Sequence, residues 1–338
     1  MTSIFRVVVI GAGEINFGSP EALVDPNFSR TAERIEEERS SDDATVRSAW
    51  DSTKACSTIA EAATLSQDVD MMILGCPPHF RGTFQHGKRA DLEMLEYFPH
   101  AKTYLVEKPV AAVNPFVSKD CDEVVSRFAA APGAVSVGYI LRYNKAILKV
   151  CSILKENDML EQATHFVDLI RFLAGDNNDA LLDTVHAATV RHDEPVGSLT
   201  KLGFDETAIP EGERVPRVTS AFWKHEKGKI GSLTHGITLY EIEVLADGWI
   251  LRVRNAYDAV TTLAIRAPGQ AEEQIIKMED DPFLTEFQCL VQASQPAEAS
   301  TFTTDVVPLR PLSSFADALQ TYKLSWKIRL AAEASAAC

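Results

Sequence analysis

The stretch Phe5-Arg6-Val7-Val8-Val9-Ile10-Gly11-Ala12-Gly13 decides the fold, because an apolar run ends there in a glycine turn. Further apolar runs follow at 71–75, 104–106 and 134–139. Polar stretches with helical spacing separate the runs, at 29–39, 84–98 and 118–130. Short buried strands that alternate with helices are typical of a parallel sheet covered on both faces. The sequence therefore predicts an α/β class protein whose first domain, residues 1–142, is a doubly wound parallel sheet.

The pattern changes near Tyr143, where a helix is predicted through Lys155 and a second one from Gln162 to Leu173. A strand-rich stretch follows, with turn residues between its apolar runs. The predicted strands are 218–223, 229–238, 240–245, 249–253 and 261–266. We predict a second α/β domain over residues 143–338, with a large and mostly antiparallel sheet and a closing helix from Leu312 to Ala334.

Composition excludes several classes of protein. The 338 residues are 46% hydrophobic and 24% charged, which is typical of a globular protein. A formal net charge of -15 without a dense run of Lys or Arg argues against a nucleic-acid partner. No apolar run reaches the roughly 20 residues of a membrane helix. No secretion signal precedes the first strand, so we expect a cytoplasmic protein. The six cysteines form no CxxC pair, which favours reduced thiols.

The glycine turn Gly11-Ala12-Gly13 has the form that lets a backbone approach a pyrophosphate. A plain tight turn is the alternative, since the full GxGxxG is absent and Asn16 stands at the third glycine position. Asp25 follows an apolar pair, as a ribose-binding carboxylate would. Only eleven residues separate it from Gly13, however, where the fingerprint expects about 20. An aspartate there would favour NAD over NADP. Because the short spacing leaves open where Asp25 lies, we expect either NAD or NADP as the cofactor.

The segment Val106-Glu107-Lys108-Pro109-Val110 places a lysine and a proline at the end of an apolar run. A strand that stops there would direct the ammonium of Lys108 toward whatever binds above the sheet edge. A lysine in that place can donate to a developing oxyanion or relay a proton. The alternative is an ordinary solvated lysine. The spacing from Tyr104 also matches YxxxK, a helical motif that Pro109 and the strand pattern argue against.

Two other segments carry candidate site residues. Cys76 and Pro77 follow the apolar run at 71–75 and would lie at the same sheet edge, although a rigid proline turn explains them nearly as well. No base neighbours Cys76 in sequence, so we do not expect it to be a nucleophile.

Glu161 and His165 lie four residues apart and would share one face of a helix that begins near Glu161. Asp168 and Arg171 would continue this polar stripe and line a site with them. The alternative is a solvated helix face with Glu161 as its cap. The remaining histidines have no spaced carboxylates, and we predict no metal site.

Taken together, these motifs resemble the Gfo/Idh/MocA oxidoreductases, the family of glucose-fructose oxidoreductase and inositol dehydrogenase. The order and spacing match across nearly the whole chain, and 11–18 is most similar to a fungal branch. The segments that carry the resemblance are 8–13, 75–78, 107–109, 138–143 and 161–165. It implies a Rossmann-type N-terminal domain and a C-terminal domain whose open sheet often forms the interface of a homo-oligomer.

The resemblance also implies roles for individual residues. Lys108 would be the catalytic lysine, His165 the acid or base at the substrate oxygen, and Glu161 would replace the usual aspartate. Arg142 would contact the substrate, which in this family is typically a sugar, a polyol or the corresponding acid or lactone. The residues implied to bind the cofactor are Gly11, Ala12, Gly13, Glu14, Ile15, Asp25, Cys76, Pro77, Glu107, Lys108 and Pro109.

The chain departs from the family pattern in three places. The first helix and much of the second strand are missing between Glu21 and Ala22, and a strand with a substrate-side loop is missing between Asn157 and Glu161. Pro78 replaces the usual hydrophilic residue after the proline turn. The sequence therefore predicts an NAD(P)-dependent oxidoreductase of sugar-like alcohols. A non-catalytic relative with an interaction or regulatory role is the alternative.

Overall fold

The computed structural model describes residues 5–11, 35–66, 68–157, 162–164, 167–175, 179–194, 216–235, 241–295 and 310–336. The chain divides into two compact units, of which the first comprises Met1–Tyr139 and Glu286–Leu319 and the second Ile140–Thr285 and Gln320–Cys338. The change of unit after Tyr139 lies three residues before the predicted one. The inclusion of 286–319 in the first unit differs from the expected division at 142. No helix of the described ranges has the length and apolarity needed to cross a membrane.

The first unit contains a parallel sheet of four strands in the order β1-β2-β3-β4. The strands are β1 (Val7–Ile10), β2 (Met71–Leu74), β3 (Thr103–Val106) and β4 (Ala134–Val137). Its helices up to residue 129 are α1 (Ala44–Trp50), α2 (Ile59–Leu65), α3 (Ala90–Tyr97) and α4 (Asp120–Ala129). Residues 35–39 are also helical. The predicted doubly wound sheet is confirmed.

Helices pack on both faces of this sheet. Successive residues of a strand point to opposite faces, so one strand can contact helices on both. Leu105 and Met71 pack against Leu290, which lies on α7 (Pro282–Ala293). Tyr104, the neighbour of Leu105, points the other way and meets the ring of Phe128 on α4 edge-on. The central strands β2 and β3 are therefore buried, as expected.

Strand β1 differs from the expectation of a buried strand. Val7 and Val9 expose 45% and 43% of their surface, and Phe5 exposes 38%. Within the described ranges β1 pairs with β2 alone, so it forms an edge of the sheet. Edge position explains why alternate side chains of an apolar strand contact solvent here.

The second unit is built on a sheet of eight strands in the order β12-β11-β10-β9-β5-β8-β7-β6. Among the described strands of this sheet only β5 and β8 pair in parallel, so the predicted, mostly antiparallel sheet is confirmed. The strands are β5 (Gln162–Thr164), β6 (Ala180–Val190), β7 (Val218–His225), β8 (Ile230–His235), β9 (Glu241–Ala246), β10 (Trp249–Arg254), β11 (Val260–Arg266) and β12 (Gln274–Glu279).

Three helices contribute to the two buried clusters of this unit: α5 (Lys145–Glu156), α6 (Val167–Ala174) and α8 (Phe315–Ala336). Asn144 caps α5, because its Oδ1 accepts hydrogen bonds from the amides of Ala146 and Ile147. The apolar positions of α5 recur every three or four residues, which places them on one buried face.

The predicted helix from Gln162 to Leu173 is wrong at its start. Residues 162–164 form the short strand β5 between β8 and β9, and α6 begins only at Val167. The predicted helix at 84–98 is likewise shorter, since α3 begins at Ala90.

Candidate functional site

The carboxyl ends of all four parallel strands meet at one edge of the first sheet. Ile10 pairs with Leu74, Leu74 with Val106, and Val106 with Val137. The residues that follow these positions therefore lie side by side: Gly11, Gly75, Glu107 and Gly138. Backbone hydrogen bonds continue the register into three of them, from Gly75 to Ile10, Glu107 to Leu74, and Gly138 to Val106. Ligands of open α/β sheets bind outside such an edge.

Gly11 is held in a conformation that only glycine adopts readily. Its φ is +108°, and a Cβ atom at this position would lie 2.7 Å from the backbone nitrogen of Cys76. The glycine turn therefore brings the end of β1 against the loop after β2. The Cys76 thiol is buried, and burial raises its pKa, which agrees with its exclusion as a nucleophile. Pro77 is exposed and precedes the 3₁₀ turn Pro78–Phe80.

Glu107 places a buried carboxylate at this edge. The residue is only 7% exposed, and burial raises the pKa of its carboxyl group, while Lys108 and Arg81 act in the opposite direction. Its Oε2 accepts a hydrogen bond from the amide of Lys108 at 3.1 Å. A Cβ atom on Gly138 would approach its Oε1 to 2.9 Å, so the glycine leaves room for the carboxylate.

Lys108 follows directly and is exposed at the same edge. The peptide bond between Lys108 and Pro109 is cis. The structure thus brings four of the predicted site segments together: Gly11, the loop at Cys76 and Pro77, the buried carboxylate of Glu107, and the exposed Lys108 with Pro109.

Arg81 is a residue of this edge that the sequence analysis missed. It is 1% exposed and its guanidinium donates to the carbonyl oxygens of Cys76 and Pro109. A single arginine in a polar turn gives no periodicity and belongs to no motif, so the sequence carried no signal for it.

Arg142 is placed in the second unit, where its guanidinium is buried. Nε donates to Oδ2 of Asp168 at 2.9 Å and Nη2 to Oδ1 at 2.7 Å. The guanidinium also lies 4.9 Å from the ring centroid of Phe172. These contacts tie the turn at Ile140–Tyr143 to helix α6. A contact of Arg142 with substrate stays a prediction.

The predicted polar stripe after Glu161 is not a solvated or open face. Asp168 and Arg171 are both buried, and Arg171 pairs with Asp179 and donates to Thr321. Because 162–164 is a strand, helical spacing does not relate Glu161 to His165. Both of these residues lie outside the described ranges.

Five predicted cofactor residues also lie outside the described part of the chain: Ala12, Gly13, Glu14, Ile15 and Asp25. Within the described ranges, no cluster of three or more His, Cys, Asp or Glu side chains could hold a metal ion.

The described edge fits the nicotinamide ribose end of a dinucleotide. The Glu107 carboxylate can accept hydrogen bonds from ribose hydroxyls, and Lys108 supplies an exposed cation. These residues would hold that end of the cofactor.

A family model described as "Putative oxidoreductase C terminal domain" matches residues 127–249. The uncharacterized protein UNK4.17 of Schizosaccharomyces pombe is 30% identical over 383 positions, which cover 95% of this chain and 90% of the relative. Because 383 exceeds the 338 residues of the chain, the match requires gaps in this chain.

Solved structures share the fold. An inositol dehydrogenase homolog from Azotobacter vinelandii, complexed with NAD+, superimposes with a TM-score of 0.62 at 10% identity, over 99% of this chain and 96% of that one. The transcriptional regulator Gal80p from Kluyveromyces lactis has a TM-score of 0.64 at 11% identity, over 98% of this chain and 91% of that one. At these identities the likeness concerns the fold alone.

Proposed function

Because the chain belongs to the Gfo/Idh/MocA family of oxidoreductases, we propose that it transfers a hydride between a nicotinamide cofactor and a carbinol carbon of a sugar, polyol or sugar acid. One observation carries the proposal: the exposed Lys108 and the buried Glu107 lie together at the carboxyl edge of the parallel sheet. An ordinary solvated lysine would not require a buried carboxylate that accepts a hydrogen bond from its backbone amide.

The nicotinamide ring would supply the hydride acceptor or donor. Glu107, with Pro109, would orient the nicotinamide ribose. Its buried carboxylate accepts a hydrogen bond from the amide of Lys108, and Gly138 leaves room for it. The backbone loop at Cys76 and Pro77 would border the same end of the cofactor. Gly11 allows the backbone to come close, and Ala12 through Ile15 would continue toward the pyrophosphate.

Lys108 would stabilise the charge that develops on the substrate oxygen as the hydride moves. His165 would remove the hydroxyl proton in oxidation and return it in reduction, with Glu161 beside it at the substrate. An imidazole suits this task because its pKa lies near neutral pH. The cofactor is NAD or NADP, and Asp25 is our candidate for selecting NAD through the ribose hydroxyls. The NAD+ held by the inositol dehydrogenase homolog supports a nicotinamide cofactor.

A second candidate is a non-catalytic relative with a regulatory role. The exposed valines of β1 favour it, because they lie on the strand that leads into the glycine turn, and the match to UNK4.17 requires gaps in this chain. The fold shared with the transcriptional regulator Gal80p is compatible with it. The two candidates differ in whether hydride transfer occurs.

The experiment is a screen of sugars, polyols and sugar acids with NAD+ and NADP+, following nicotinamide absorbance. We expect one substrate class to turn over and Lys108→Ala to lower kcat/KM roughly 100- to 10,000-fold. Lys119→Ala is the matched control, since Lys119 is an exposed lysine of the same unit, and it should leave the rate unchanged. Turnover at the full rate in Lys108→Ala would remove the lysine from the mechanism, and no turnover of any substrate favours the regulatory candidate.

The second sheet supports the expected homo-oligomer. Phe222, Leu245 and Ile275 are exposed. The first two alternate along their strands with buried residues, and Ile275 with the partly buried Ile276 and Met278. Such a face suits an isologous contact with a second copy. Light scattering should give a mass above the 37.1 kDa of one chain, and Phe222→Glu should lower it.

A further inference from the structure

Arg81 is a buried cation at the candidate site that the proposed function does not use. It follows the turn Pro78–Phe80 and is 1% exposed. Burial lowers the pKa of its guanidinium, while the nearby Glu107, Asp91 and Cys76 act in the opposite direction. A guanidinium keeps its charge in proteins, so this burial costs free energy that its contacts must offset.

The contacts of Arg81 join two separate loops. Nη1 donates to the carbonyl oxygens of Cys76 and Leu74, at the end of β2. Nε and Nη2 both donate to the carbonyl oxygen of Pro109, at 3.3 and 3.0 Å. The planar fork of an arginine can reach both loops at once, whereas the single ammonium of a lysine cannot keep the two-fold contact with Pro109.

Lys108 lies between the atoms that these contacts fix. On one side, the amide of Glu107 donates to the Leu74 carbonyl and the Glu107 carboxylate accepts from the Lys108 amide. On the other side, the Pro109 carbonyl is held by Arg81. The backbone of Lys108 is therefore tied to the loop after β2 from both directions, while its side chain is exposed.

We propose that Arg81 is a positioning residue, which fixes the backbone of Lys108 relative to the predicted cofactor loop at Cys76 and Pro77. That this arrangement serves the reaction rests on the proposed function. That Arg81 holds the backbone of Lys108 rests on the hydrogen bonds of Arg81 alone. A displacement of about 1 Å at a reacting group can lower a rate roughly 100-fold, which is why such a link would matter.

The test uses Arg81→Lys and Arg81→Met in the full-length protein without cofactor, with hydrogen exchange measured on the amides of 107–113 other than that of Pro109, which has no N–H. Loss of the two-fold contact with Pro109 should speed exchange there about 3- to 10-fold. That factor is the increase in the open, exchanging population when one net hydrogen bond is lost. Arg171→Lys is the matched control, because Arg171 is a buried arginine of the second unit that donates to Asp179 and Thr321. It should leave 107–113 unchanged. If Arg81→Met does not fold, Arg81→Lys decides alone.

A second readout separates positioning of Lys108 from general support of the fold. NADH or NADPH, whichever wild type binds, is titrated into wild type, Arg81→Lys, Lys108→Ala and the double variant, following nicotinamide fluorescence. If Arg81 acts through Lys108, Arg81→Lys changes the emission of the bound cofactor when Lys108 is present. In the Lys108→Ala background, Arg81→Lys has no further effect.

Equal effects of Arg81→Lys in both backgrounds, or unchanged exchange at 107–113, would overturn the proposal. If wild type binds neither NADH nor NADPH, the proposed function fails, and the exchange rates still decide whether Arg81 holds the backbone at Lys108.

Discussion

Substitution of Asp168 by alanine should destabilise the second unit strongly. The Arg142 side chain is 3% exposed and that of Asp168 is 11% exposed, and two hydrogen bonds join them. Oδ1 of Asp168 also accepts from the hydroxyl of Thr321 at 3.1 Å. Removing the carboxylate leaves a buried guanidinium without its counter-charge, which costs about 3–5 kcal/mol. For a unit of this size that corresponds to a decrease in Tm of roughly 6–20 °C.

The assay is urea unfolding followed by tryptophan fluorescence, because Trp223 is fully buried in the same unit. Asp179→Ala is the matched control. It breaks another arginine–aspartate pair, Arg171–Asp179, whose carboxylate is 53% exposed, so water can take its place beside Arg171 and we expect a smaller loss than for Asp168→Ala. If Asp168→Ala costs no more than Asp179→Ala, the reasoning from burial is refuted.

Two further predictions concern the loop after β2 and the start of α3. Gly82→Ala should cost roughly 2–5 kcal/mol, since φ is +79° and the new Cβ would lie 2.3 Å from that of Ala111. Gly87→Ala shares the positive φ of +77° but meets open space, so it should cost only about 1–2 kcal/mol, and equal losses of Tm would contradict the packing argument. Burial raises the pKa of Asp91 from 3.8 to about 6, so its carboxyl makes the folded protein lose stability as pH rises through that interval. Relative to Asp91→Asn, wild type should lose roughly 2–2.5 kcal/mol between pH 4 and pH 7, and a difference that does not change with pH would argue against a buried, titrating Asp91.

The four strands of the first sheet could be predicted from sequence because each is a short apolar run bounded by polar segments. The prediction placed β2 and β3 within one residue of their observed ends. It missed the exposure of Val7 and Val9, since an apolar run looks the same at an edge as in the centre of a sheet.

The helix predicted from Gln162 failed for a different reason. The apolar spacing of α6 is real, but β5 has only three residues, too few for any periodicity, and its pairing with β8 and β9 is set by the tertiary fold. No predicted strand or helix covered β6, β12 or α7.

The candidate site was predictable where a motif places residues directly after a strand. Glu107 and Lys108 are such residues, and register alone brings them to the same sheet edge as Gly11, with the end of β2 between them. Arg81 was not predictable, because its role depends on carbonyl groups 5 and 28 residues away along the chain. The pairing of Arg142 with Asp168 across 26 residues was hidden from sequence for the same reason.

A titration of the purified protein with NADH and NADPH, following nicotinamide fluorescence, tests the proposed function most directly. We expect one of the two to bind with a Kd of about 1–100 μM, and Lys108→Ala to change the emission of the bound cofactor. No binding of either cofactor up to about 1 mM would contradict an oxidoreductase function and leave the regulatory candidate.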